Sequence, residues 1–113
     1  MQIIISNDVK SAITDIFNYS LGISYKYASR TVNKIYEAIY DLQESPYIGR
    51  YVPEIQDKHY RERICEKYRI IYLISEEHNS IFIRYIFNIR QDKTTFFKVH
   101  KNEIFNFLNQ IFN

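Results

Sequence analysis

At 113 residues the chain has the length of one ordinary domain, enough to bury roughly two thirds of the surface that its unfolded form exposes. Hydrophobic residues make up 46% and charged residues 25%, which excludes a disordered chain, and the net charge of +2 excludes a strongly polyanionic or polycationic one. The longest apolar runs, residues 3–5 and 70–74, fall far short of the roughly 20 residues that span a bilayer. Met1 leads into nothing that reads as a signal peptide, so a cytoplasmic location without membrane contact is expected. Cys65 is the single cysteine; it excludes an intramolecular disulfide and reads as a structural thiol.

In chain order, the β-branched run Ile3, Ile4 and Ile5 predicts a short strand, and the polar group Ser6-Asn7-Asp8 can cap a helix behind it. Val9, Ala12, Ile13, Ile16 and Phe17 recur at three- and four-residue spacing, giving one apolar stripe that stops before Gly22. Ser24 can cap a second helix, in which Ala28, Val32, Ile35, Ile39 and Leu42 repeat the helical period. The two form an α-helical hairpin. Pro46, Gly49 and Pro53 keep residues 45–58 irregular or only partly extended.

Three strands follow, over residues 60–65, 68–75 and 80–89, rich in Ile, Tyr and Phe and separated by connections short enough for antiparallel hairpins. The spacing of Phe97, Ile104, Leu108 and Ile111 predicts a C-terminal helix from about Asn102, whose apolar face must be covered by the domain or by a partner chain. The predicted fold class is therefore α+β: an N-terminal strand, a helical hairpin and a three-stranded antiparallel meander forming one sheet, with a C-terminal helix. Residues 1–113 read as a single domain, with 91–113 as a helical extension.

Charge is uneven along the chain. Residues 1–45 carry four Lys or Arg against five Asp or Glu, whereas residues 84–101 carry five against Asp92 alone. Positive charge in the second half favours a polyanionic or acidic partner. Strand alternation puts Arg61 and Arg63 on one side of their strand, Arg69 opposite Tyr68 and Ile70, and Arg84, Asn88 and Arg90 together against Ile83, Tyr85 and Phe87. If helices cover the apolar side, the arginines gather on the other as a phosphate-binding cluster. The alternative is that they pair with Glu54, Glu62 and Glu66. His59, His78 and His100 lack the spacing of a metal site, so no metal is expected.

The stretch Pro46-Tyr47-Ile48-Gly49-Arg50-Tyr51-Val52-Pro53-Glu54-Ile55, then Tyr60-Arg61-Glu62, Tyr68-Arg69-Ile70-Ile71-Tyr72 and residues 81–90, resembles the RelE/ParE toxin superfamily in its order. The opening is similar too, a strand ending in Ser6 before a helix with Ala12, Asp15 and Ile16. The resemblance runs from about Gln2 to Arg90 and leaves the tail uncovered. It implies a RelE/ParE-like two-layer fold and the toxin half of a type II toxin–antitoxin module, with a cognate antitoxin as partner and no cofactor.

Two chemistries are known among relatives. The RelE-like branch cuts mRNA on the ribosome without metal, through attack of a ribose 2′-hydroxyl on the adjacent phosphate, and the resemblance gives this translation-inhibiting reading first place. It implies Glu54 as general base, Arg61, Arg69 and Arg90 as catalytic cations around the phosphate, and Arg63, Arg84 and Asn88 as substrate-binding groups on the RNA. The ParE-like branch instead poisons DNA gyrase and needs no nuclease site; a non-toxic relic that still binds its antitoxin is a third possibility. Asn88 stands where relatives often have His, and an amide cannot titrate near neutral pH.

Overall fold

A computed structural model describes residues 1–112. Five strands form one sheet in the order β1-β5-β4-β3-β2: β1 (Gln2–Ile5), β2 (Arg50–Tyr51), β3 (Tyr60–Cys65), β4 (Tyr68–Ser75) and β5 (Ser80–Asn88). The pairs β2/β3, β3/β4 and β4/β5 are antiparallel, while β1 lies parallel to β5 because a helical hairpin separates them in the chain. That hairpin consists of α1 (Asn7–Ser20) and α2 (Tyr25–Tyr40), followed by a single 3-10 turn at Asp41–Gln43. The predicted caps form: Ser6 Oγ accepts from the Val9 amide at 3.2 Å and Ser24 Oγ from the Tyr27 amide at 3.0 Å. The α+β class, the hairpin and the meander are as expected from the sequence.

Two apolar clusters hold the layers together. On one face of the sheet, Tyr68, Ile70, Tyr72 and Ile83 pack against Val9, Ile13, Ile35 and Ile39 of the hairpin. On the other, Tyr60, Ile71, Leu73 and Tyr85 pack against Phe97, Ile104 and Leu108. The latter three belong to α3 (Thr94–Val99) and α4 (Lys101–Phe112), so the tail forms two helices and covers the face that the hairpin leaves open. The predicted helix from Asn102 corresponds to α4, and Asn113 at the end of the expected extension lies outside the described residues. β4 is buried along its whole length because both faces are covered.

The period-2 reading of β5 fails at one place, and the consequence reaches the site. Ile71 pairs with Tyr85 but Tyr72 pairs with Ile83, so Arg84 is the extra residue of a β-bulge. From there the alternation shifts by one. Tyr85 and Phe87 turn toward the tail helices, in the same cluster as Phe82, whereas Ile83 and Ile86 face the hairpin. Arg84 and Asn88 therefore do not share a face.

Among the described residues no helix is long and apolar enough to cross a membrane. Cys65 is half-buried, with Sγ 3.5 Å from the Lys34 carbonyl oxygen, and burial pushes its thiol pKa up.

Candidate functional site

The loop after the hairpin meets the sheet at Gly49. Its amide donates to the Tyr72 hydroxyl at 3.0 Å, and that hydroxyl donates to the Pro46 carbonyl at 2.9 Å. A Cβ at position 49 would collide with the Glu62 carbonyl and lie 2.5 Å from the Tyr72 hydroxyl, so the close approach of loop and sheet requires glycine. This approach pairs Arg50 with Glu62 across β2/β3 and carries Glu54 over β4.

Four charged side chains meet there. Arg69 Nη1 and Nη2 donate to the two oxygens of Glu54 at 2.8 and 2.7 Å, a bidentate fork. Its Nε and Nη2 also donate to Glu62 Oε1 at 3.2 and 2.7 Å. Arg50 holds the other Glu62 oxygen, with Nε at 3.0 Å and Nη2 at 2.8 Å. The Glu62 side chain is 0% exposed and that of Arg69 9%. A fully buried carboxylate is tolerated only when paired and hydrogen-bonded, and here two guanidinium groups do both. The hydrogen bonds from Arg69 hold the Glu54 carboxyl below its ordinary range, and the same bonds raise the pKa of Arg69.

The other arginines do not join this group, which corrects the expectation of a single arginine-bearing face. Arg61 donates to the Gly49 carbonyl at 2.8 Å, and its guanidinium lies 5.2 Å from the Tyr47 ring centre and 4.6 Å from that of Tyr51. The Tyr47 hydroxyl is hydrogen-bonded to Glu76, which raises its pKa. Arg63 donates to the Ala38 carbonyl at 2.7 Å in the last turn of α2, and reaches Asp41 at 3.4 Å. Arg84 lies 3.7 Å over the Phe107 ring with Glu103 at 4.0 Å. The Nε atoms of Arg61 and Arg84 are buried without a hydrogen-bond partner among the described residues. Asn88 Oδ1 accepts from the Arg90 amide at 2.9 Å, while the Arg90 side chain is exposed just past the sheet.

Of the seven expected site residues, then, only Glu54 and Arg69 meet through their side chains, while Asn88 reaches the backbone amide of Arg90. Pairing with Glu54 and Glu62 describes Arg69, while Glu66 pairs with Lys34 at 2.9 Å instead of with an arginine. The period-2 pattern holds the signal for Glu62, since it shares the inward parity of Tyr60 on β3. Nothing in the sequence singles out Arg50 or the two tyrosines around Arg61. A cleft of about 410 Å³ opens beside this network, between the 53–56 loop and the tail helices, with Glu54, Phe97, Lys98, Lys101 and Phe105 in its lining. Among the described residues no group of three or more His, Cys, Asp or Glu is placed to hold a metal ion.

These features have relatives. No curated protein matches the chain. A solved structure titled "Chromosomal ParDE TA system from P. aeruginosa" shares the fold, with a TM-score of 0.66 and 18% identity, over 80% of this chain and 97% of that one. The family model described as "ParE toxin of type II toxin-antitoxin system, parDE" matches residues 3–93 and stops just before α3 and α4. With the hairpin, the meander and all but the first residue of β1 inside that match, the chain belongs to the ParE toxin family of type II toxin–antitoxin systems.

Proposed function

We propose that this chain poisons its host by docking on a protein target, DNA gyrase as in the ParE-like branch, and does not cut mRNA. The observation that supports this best is the state of Arg69, all three of whose guanidinium nitrogens donate to carboxylates. Cleavage at phosphate needs a cation free to meet the charge that develops in the transition state, and a base whose pKa lies near the working pH. Arg69 is neutralised by two carboxylates, and Glu54, held low by Arg69, is a poorer proton acceptor than an ordinary glutamate. Arg61 and Arg63 are committed to backbone carbonyls and Arg84 to Phe107, leaving Arg90 exposed and, among the described residues, without a base beside it.

In this reading Glu54, Glu62, Arg50 and Arg69 fasten the 50–54 loop to the sheet, and Arg61 sets the two tyrosines around it. Residues 1–113 act as one toxin domain, with 91–113 as its C-terminal extension. The cognate antitoxin supplies a segment with apolar side chains for the cleft against Phe97 and Phe105 and carboxylates for Lys98 and Lys101 at its rim. The test is to titrate the purified protein into gyrase supercoiling reactions and, in parallel, into programmed ribosomes. Supercoiling should fall, transcripts should stay whole, and antitoxin should restore activity. Cleavage within codons beside unaffected gyrase would overturn the proposal.

A further inference from the structure

We infer that the tip of the helical hairpin, residues 19–25 with Lys26 and Arg30 beside it, is the surface that engages the toxin's protein target, and that the matching surface carries an apolar pocket rimmed by carboxylates. This rests on the protein-docking reading above.

The tip carries the most exposed cluster of large apolar side chains among the described residues. Tyr19 is 77% exposed, Ile23 64% and Tyr25 71%, and Leu21 is exposed as well. Single exposed hydrophobic residues are ordinary, but four large ones within seven positions form a patch that folding does not require. The turn is held by its backbone: amides of Leu21, Gly22, Ile23 and Ser24 donate to Phe17, Tyr19 and Ser20 carbonyls at 2.9–3.3 Å, and Ser24 caps α2. Tyr25 is propped edge-on against Phe17, with ring centres 6.1 Å apart. Rigid aromatic side chains on a fixed turn lose little entropy on binding, which is the character of interface hot spots.

Charge identifies the occupant. Lys26 and Arg30 lie on the first turns of α2, with Arg30 5.9 Å from the Tyr27 ring centre, and Lys67 lies 6.0 Å from that of Tyr68 in the β3/β4 turn beneath. Glu66 in that turn is already paired with Lys34, and Asp15 sits one helical turn back from Tyr19. The rim is net positive and complements an acidic protein surface. A second group of exposed aromatic rings, Tyr47 and Tyr51, differs because the guanidinium of Arg61 already faces both. The hairpin packs on the sheet face opposite the cleft beside Glu54, so a chain bound there leaves the tip free.

The experiment compares wild type with a triple variant, Tyr19→Ser, Ile23→Ser and Tyr25→Ser, and with a charge variant, Lys26→Glu and Arg30→Glu. Growth arrest after induction, gyrase inhibition, antitoxin affinity, oligonucleotide binding and thermal unfolding are measured for each. Both variants should need at least about tenfold more toxin to arrest growth and to inhibit gyrase, a loss of hot-spot size. Antitoxin affinity and melting temperature should stay at wild-type values. Variants as toxic as wild type would overturn the inference whatever the target. So would a parallel loss of antitoxin affinity, or a loss of toxicity that tracks oligonucleotide binding while gyrase binding persists. If the wild-type protein leaves gyrase unaffected, the target assignment fails separately, and the tip is then judged by growth arrest and antitoxin affinity alone.

Discussion

Replacing Arg69 by Ala tests whether the charged network is structural. The substitution strands Glu62, whose side chain is 0% exposed, with Arg50 as its remaining counter-ion, and leaves Glu54 without its bidentate partner. Breaking a buried pair by removing one member typically costs about 3–5 kcal/mol. Arg50 keeps two contacts to Glu62, so the lower end, about 3 kcal/mol, is expected. For a domain of this length that corresponds to a fall in melting temperature of roughly 12 °C, at about 4 °C per kcal/mol. Guanidinium denaturation followed by circular dichroism gives the free energy directly. Because the cost comes from the stranded carboxylates, adding Glu54→Gln and Glu62→Gln to Arg69→Met should recover most of it. An Arg69→Ala protein within about 0.5 kcal/mol of wild type, the range of ordinary surface substitutions, would refute the structural role and return the guanidinium to the list of free cations.

Other predictions follow from single contacts. Glu54 has its pKa lowered in the folded state, so its contribution is complete above the ordinary glutamate value of 4.5 and is lost as pH falls through the lower folded value; Glu54→Gln should flatten the acid limb of a stability–pH curve there. Tyr60, Tyr72 and Tyr85 have pKa values raised by burial, so stability should decline as pH rises past their ordinary value of 10.0, and Tyr60→Phe should reduce the decline. Gly49→Ala should cost about 3 kcal/mol in chemical denaturation, because the clash is with backbone and a buried hydroxyl that cannot step aside. Asn88→His should bring no cleavage of programmed ribosomes, since the bulge at Arg84 puts position 88 on the hairpin side of the sheet, away from Glu54 and Arg69.

The scaffold was legible because its signals are local. Ser6 and Ser24 announce their helices, Val9 to Phe17 and Ala28 to Leu42 keep one helical period, and the short connections after Cys65 and Ser75 force antiparallel pairing. The site was legible only in part, because it depends on long-range facts. The bulge at Arg84 shifts the parity of β5 and separates side chains that alternation groups together. The tail helices bury the face where the arginines were expected in the open, and no local pattern specifies which surface an amphipathic helix covers. The pairing of Glu54 with Arg69 across 15 positions, and of Arg50 with Glu62 across 12, follows from the loop docking at Gly49.

The central claim, that this toxin acts on a protein target and not on mRNA, is tested most directly by pulse labelling after induction in growing cells. DNA synthesis should stop first, with an SOS response and intact transcripts, while protein synthesis continues. A prompt fall in protein synthesis with transcripts cut within codons, ahead of any change in DNA synthesis, would contradict it.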